Sequence, residues 1–378
     1  MGTPDAAALA ELTALAADRT AAAREWSAAG RPVAGYVGAD VPVEVLTAAG
    51  FLPVRLTGDP GAPSEEGDRY LGRGLDPVAR SVLTRLLDGA YGPLDALVVS
   101  HDCEASLRLF YAVRELHRIE PGIGLPPARL VDVLHLPHRT TTRYVLAKIR
   151  QLRTQVERWS GRTVTDADLA AATAAHDRVR ALLGRVADLR RRRPARLTGT
   201  QALAVVAATT ALPPDRAAAL LESLLAEADQ LPEAGGTRVF LTGSSHDHPG
   251  VYAALEEAGL LVVGEDHDWG DLLHHRLVDP PADPALLELA LAERYQHNGP
   301  VAAAASIRQR AAHTAAAASA CGADVLVSYT RIHDDAPRWD FPAQRAATGL
   351  PAALVGRQPY GRVDLDALAA LRAPGVAA

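Results

Sequence analysis

The chain has 378 residues, a formal net charge of −6 and 48% hydrophobic residues, a balance suited to a soluble protein of two to three domains whose core needs no staples. The acidic balance argues against a general nucleic-acid binder, which needs a basic face for the phosphates. Two cysteines, Cys103 and Cys321, make neither a disulfide scaffold nor a four-thiolate metal site. Lys148 is the single lysine among 39 basic residues, a skew that reads as genome composition rather than function. No segment reaches the ~20 apolar residues of a membrane span. The first twenty residues carry acidic side chains and lack a basic n-region, so they predict a helix and not a signal peptide. The expected location is cytoplasmic, with both thiols reduced.

In chain order, residues 5–29 read as a helix. Val33–Val37 and Leu52–Leu56 are short apolar runs separated by a turn at Asp40 and a helix ending at Gly50. The runs at 95–101 and 128–135 repeat the pattern around a helix from Glu104 to Arg118. Short apolar runs alternating with helices predict parallel strands covered on both faces. From Arg139 to Glu233 such runs vanish. Tyr144, Leu146, Ile149, Leu152 and Val156 recur at helical spacing, Ser160-Gly161 ends that helix, and Thr165 to Asp168 opens another. Arg190 to Arg193 before Pro194 reads as a helix C-terminus with favourable dipole charges. A second α/β stretch then has strands at 237–243, 260–266, 323–329 and 351–356, a helical region from Pro284 to Cys321, and a helix from Pro342 to Thr348. The predicted organisation is an N-terminal helix (1–30), a first α/β domain (31–138), a helical segment (139–235) and a second α/β domain (236–378).

Ligands of open parallel sheets bind beyond the carboxyl ends of the strands. Four predicted strands are followed there by a His-Asp pair: His101-Asp102, His246-Asp247, His267-Asp268 and His333-Asp334. Imidazole and carboxylate suit a divalent transition metal or proton transfer near neutral pH. The plainer alternative is that Asp caps the helix after each strand. No GxGxxG, P-loop or GxSxG motif occurs. Gly243-Ser244-Ser245 is either an anion-binding turn or an ordinary strand-to-helix turn.

The segments GYVGADVPVEVLTAAGFLPVRLTG, GRGLDPVARSVL, VVSHDCEASLRLF, SGRTVTDADLAAA, RVFLTGS and HDDAPRWDFPAQRAATGLPAAL, in that order, resemble the 2-hydroxyacyl-CoA dehydratase and benzoyl-CoA reductase family over residues 31–356. The resemblance implies two flavodoxin-like parallel-sheet domains facing across a cleft. It also implies an acyl-CoA thioester substrate, pairing as a homo- or heterodimer with a family homologue, an ATP-dependent activator protein and a [4Fe–4S] cluster held by three cysteines. Asp76 stands before Pro77-Val78-Ala79-Arg80-Ser81, where the first cysteine belongs. Cys103, followed by Glu104, matches the second. His333-Asp334, ahead of Asp340-Phe341-Pro342, stands at the third. Asp76, Cys103 and His333 are therefore the expected metal ligands, for Zn or Fe if not for a cluster. His101, His246, His267 and Asp268 are the expected acid–base groups. Three readings stay open: a dehydratase-like lyase or reductase with an altered metal site, a non-catalytic partner of a cysteine-complete homologue, and a repurposed mononuclear Zn or Fe enzyme.

Overall fold

The computed structural model describes residues 7–120, 122–300 and 305–371. Among them, eight strands form two all-parallel sheets of four. β1 (Val33–Val37), β2 (Leu52–Arg55), β3 (Ala96–Ser100) and β4 (Ala128–Val131) lie in the order β2-β1-β3-β4. β5 (Thr237–Gly243), β6 (Leu260–Glu265), β7 (Val325–Arg331) and β8 (Ala352–Gln358) repeat that order as β6-β5-β7-β8. The chain is thus α/β, with two flavodoxin-like units.

The strands are short and apolar because both faces are covered. Alternate side chains of one strand enter different cores. Ala96 and Val98 of β3 pack with Val145, Ile149 and Leu152 of the helix Arg139–Ser160, whereas Leu97 and Val99 pack with Leu83, Leu109 and Val113 of the helices Pro77–Leu87 and Glu104–Ile119. β5 divides in the same way, with Val239 and Leu241 on one side and Phe240 on the other. A fifth core joins the N-terminal helices to the helices Asp166–Arg191, Gly199–Thr209 and Pro214–Ala226.

Several elements depart from the sequence expectation. The N-terminal helix is two, Ala7–Ala17 and Ala21–Ala28, and residues 5 and 6 lie outside the described residues. The region 284–321 holds a short turn of helix, then Leu287–Gln296 and Ile307–Ala320, with 301–304 outside the described residues. The helix expected from Pro342 begins at Ala336, because Pro337 sits in its first turn, where a missing N–H costs nothing. Helix Leu287–Gln296 adds its Leu291 and Tyr295 to the core that β1 and β3 share with the helix Arg139–Ser160, so this late segment completes the first unit's core.

Two buried charge clusters fix the helical layer. Glu44 is fully buried; it accepts from Arg180 Nη2 at 2.5 Å and from the Tyr295 hydroxyl at 2.8 Å. Burial alone would raise the Glu44 carboxyl. Arg180, with His176 and Arg294, outweighs burial and lowers it to about 2. Arg190, at the end of the long helix, grips Glu265 of β6 through two bonds of 2.5 and 2.6 Å. Removing one partner of such a pair leaves a buried charge uncompensated. Glu44→Ala should therefore cost about 3–5 kcal/mol of unfolding free energy, measured by chemical denaturation.

Candidate functional site

The carboxyl ends of both sheets open on one cleft of about 890 Å³. Its walls include the residues after β1 (Gly38 to Asp40), β3 (His101 to Ser106), β4 (Asp132 to Leu136), β6 (Asp266 to Trp269) and β7 (His333 to Asp335), with Arg331 at the end of β7 itself. Two glycines shape the strand exits. Gly38 has φ +93°, and a Cβ there would lie 1.9 Å from Ser100 Oγ and 2.5 Å from Asp102 Oδ2. Gly243, the last residue of β5, has φ +114°, and a Cβ would lie 2.0 Å from the Tyr329 carbonyl. Only glycine takes both the backbone and the approach.

The three expected metal ligands line this one cleft but do not form a donor group. Asp76 caps the helix Pro77–Leu87 by accepting from the Val78 N–H at 2.8 Å. Its carboxylate also takes two hydrogen bonds from Arg331, Nε to Oδ1 at 3.1 Å and Nη2 to Oδ2 at 2.7 Å. Cys103 is exposed to the cleft and shares a hydrogen bond with Ser106 Oγ at 3.3 Å. Enclosure by the cleft walls, then the Asp102 carboxylate, push its thiol up to about 12. His333 is exposed, at φ +69°. Among the described residues, no three His, Cys, Asp or Glu side chains are placed to hold one metal ion. A guanidinium already occupies the Asp76 carboxylate, and a single thiol does not fit a cluster that selects soft thiolates.

The four expected acid–base residues divide. His101 and Asp268 line the cleft, as does His267, while His246 does not. His246 is buried among the rings of Tyr252, His267 and Tyr329, and burial lowers its basicity far below the ordinary value. His267 is also buried, with Nε2 on the Tyr252 hydroxyl at 2.8 Å and Nδ1 accepting from the Trp269 N–H at 3.3 Å. Asp268 is bound by the Arg55 guanidinium and the Ser245 hydroxyl. Against burial, Arg55 and then Ser245 hold it below the usual carboxylate range. The polar atoms of these three are buried or already bonded within the protein. His101 keeps one ring nitrogen without a partner among the described residues.

Sequence reasoning overlooked the ends of β1 and β4. His135 Nε2 lies 2.8 Å from Asp40 Oδ2, and its Nδ1 lies 3.1 Å from the Gln296 carbonyl. A carbonyl and a carboxylate both only accept, so both ring nitrogens donate and the ring is an imidazolium. Arg55 and Arg331, which reach across from opposite sheet units, were also missed. Asp132 and His135 stand inside the run read as strand 128–135, and the strand actually stops at Val131. A shorter strand there would have exposed them as end residues.

The residues 39–332 match the family model described as 2-hydroxyglutaryl-CoA dehydratase, D-component. The chain belongs to this dehydratase family. It is similar to one of the subunits of the benzoyl-CoA reductase of Thauera aromatica, 26% identical over 257 residues that cover 65% of this chain. The match spans 64% of that relative's length, a little under two thirds. No helix of this dehydratase-family chain, among the described residues, is long and apolar enough to cross a membrane.

The His135 charge makes the cleft wall sensitive to pH. Burial alone would lower its basicity; Asp40, then the Gln296 carbonyl, hold it above the ordinary 6.5. A group raised in the folded state contributes fully below its unfolded value, and the contribution fades as pH rises through the folded value. Thermal unfolding scanned upward from pH 6.5 should show a loss of about 1–2 kcal/mol. Asp40→Asn should lack that step.

Proposed function

We propose that this chain is the acyl-thioester-binding, cluster-free member of a dehydratase- or reductase-type complex, paired with a cysteine-complete homologue that carries the iron–sulfur centre. The observation that carries this reading is the two-point ion pair between Asp76 and Arg331. It puts a paired positive charge where the family resemblance places the first cluster ligand. A cluster-bearing cleft needs thiolates there, whereas a protein cleft that only binds and orients an acyl group does not.

The size and charge of the cleft support the acyl end as its occupant. About 890 Å³ lies within the ~300–1,000 Å³ of small-molecule sites. The arginines that line it are all engaged: Arg55 with Asp268, Arg331 with Asp76, and Arg108 with Glu104. No unpaired guanidinium among the described cleft residues is left for phosphates, so the anionic part of an acyl-CoA stays at the mouth. The reaction of the complex, dehydration or reduction, is set by the partner that supplies electrons. This chain contributes orientation and hydrogen bonding around the acyl group.

Iron and acid-labile sulfide assayed in the anaerobically purified chain test this directly. The expected result is no stoichiometric iron or sulfide in the chain alone, before or after reconstitution, and both present in a complex with a cysteine-complete homologue. Stoichiometric iron and sulfide in the isolated chain would overturn the reading.

A further inference from the structure

His101 follows β3, and Asp132 follows β4. The β3–β4 register pairs Ser100 with Val131, so the next residue of each strand stands beside the other. The His101 N–H continues the ladder by donating to the Val131 carbonyl at 2.9 Å. The two side chains meet, with His101 Nδ1 3.1 Å from Asp132 Oδ1. The other Asp132 oxygen is taken by the Tyr144 hydroxyl at 2.5 Å. Tyr144 lies in the first turns of the helix Arg139–Ser160, which packs across this end of the sheet. An ionised carboxylate only accepts, so Nδ1 carries a proton, and in the neutral ring Nε2 is then the bare nitrogen.

We propose that Asp132 and Tyr144 are positioning residues that hold His101 in its Nδ1–H form, with bare Nε2 presented to the cleft as the acceptor for a ligand's proton. The transfer balances simply. A ligand O–H or activated C–H breaks, its electron pair stays on the ligand, an N–H forms at Nε2, and Asp132 compensates the imidazolium. Tyr144 stays a donor throughout the accessible range, because burial and then Asp132 push its hydroxyl up to about 12. The acyl thioester as the source of that proton rests on the reading above; the arrangement of the three side chains does not.

The cleft contains its own controls. His135 has both nitrogens bonded, whereas His333 is exposed and has no hydrogen bond or ion pair to a described residue. Nitrogen-15 NMR of the wild-type chain at neutral pH should show His101 as the Nδ1–H tautomer. Diethylpyrocarbonate, mapped by peptide mass spectrometry, should label His101 and His333 and spare His135. In Asp132→Asn the Tyr144 hydroxyl claims the amide oxygen and the amide NH₂ faces the ring. The tautomer then inverts, and His101 labelling falls several-fold while His333 is unchanged. Adding Tyr144→Phe frees the amide to turn and restores part of the labelling. An Nε2–H tautomer in the wild type, or equal His101 labelling in the wild type and Asp132→Asn, would overturn the proposal. The wild-type tautomer decides even if the variants do not fold. No ligand enters these measurements, so their failure is separate from any failure of the acyl-thioester reading.

Discussion

The site depends on a guanidinium at the end of β7. Arg331 donates to both oxygens of Asp76 in the first sheet unit and to the Ser245 carbonyl, at 2.7 Å, in its own unit. Its charge is buried, so the interaction works at a low effective dielectric and the pair must be well matched to persist. The match here is bidentate and planar, the geometry that arginine satisfies and lysine does not. Beside it, Arg55 reaches from β2 to Asp268 after β6 and stacks on the Trp269 ring at 4.0 Å. Two arginines from opposite units thus each hold a carboxylate of the other, and the cleft floor is a crossed pair of charge contacts.

These contacts set the chemical character of the walls. Carboxylates outnumber cations around the cleft, yet most are bonded: Asp40 to His135, Asp132 to His101 and Tyr144, Asp268 to Arg55 and Ser245. Asp102 and Asp266 are half satisfied: Asp102 Oδ2 accepts from the Ala39 N–H at 2.9 Å and Asp266 Oδ2 from the Thr242 and Thr314 hydroxyls, while Oδ1 of each has no hydrogen-bond partner among the described residues. Free polar atoms lie on both sides of the cleft, among them Asp102 Oδ1 after β3 and the His333 ring after β7.

The architecture was legible because parallel strands buried on both faces read as short continuous apolar runs. β1 and β5 match the expected bounds residue for residue. Helix starts were less legible where proline was taken as a boundary, since Pro337 can stand inside a first turn. The site was only half legible. The four His-Asp pairs look alike in sequence, yet His101 opens on the cleft while His246 is packed among aromatic rings. The direction of a side chain after the last ladder bond depends on the loop that follows. Asp76 was readable as a special position before Pro77, but not its partner Arg331, 255 residues later. Tyr144 is twelve residues from Asp132 and reads as a core position by its spacing; only the angle at which its helix crosses the sheet turns the hydroxyl to the carboxylate.

The placement of helix Leu287–Gln296 bears on how the chain matures during synthesis. Its Tyr295 completes the bonding of Glu44, and the Gln296 carbonyl and side-chain amide hold His135 and Leu136 beside β4. Residues that open the chain therefore wait for residues translated much later before their core closes. Until that helix leaves the ribosome, the helix Arg139–Ser160 lacks its outer neighbour and Glu44 lacks its tyrosine partner. The two similar sheet units are thus not independent modules that fold one after the other; the first is finished from within the second.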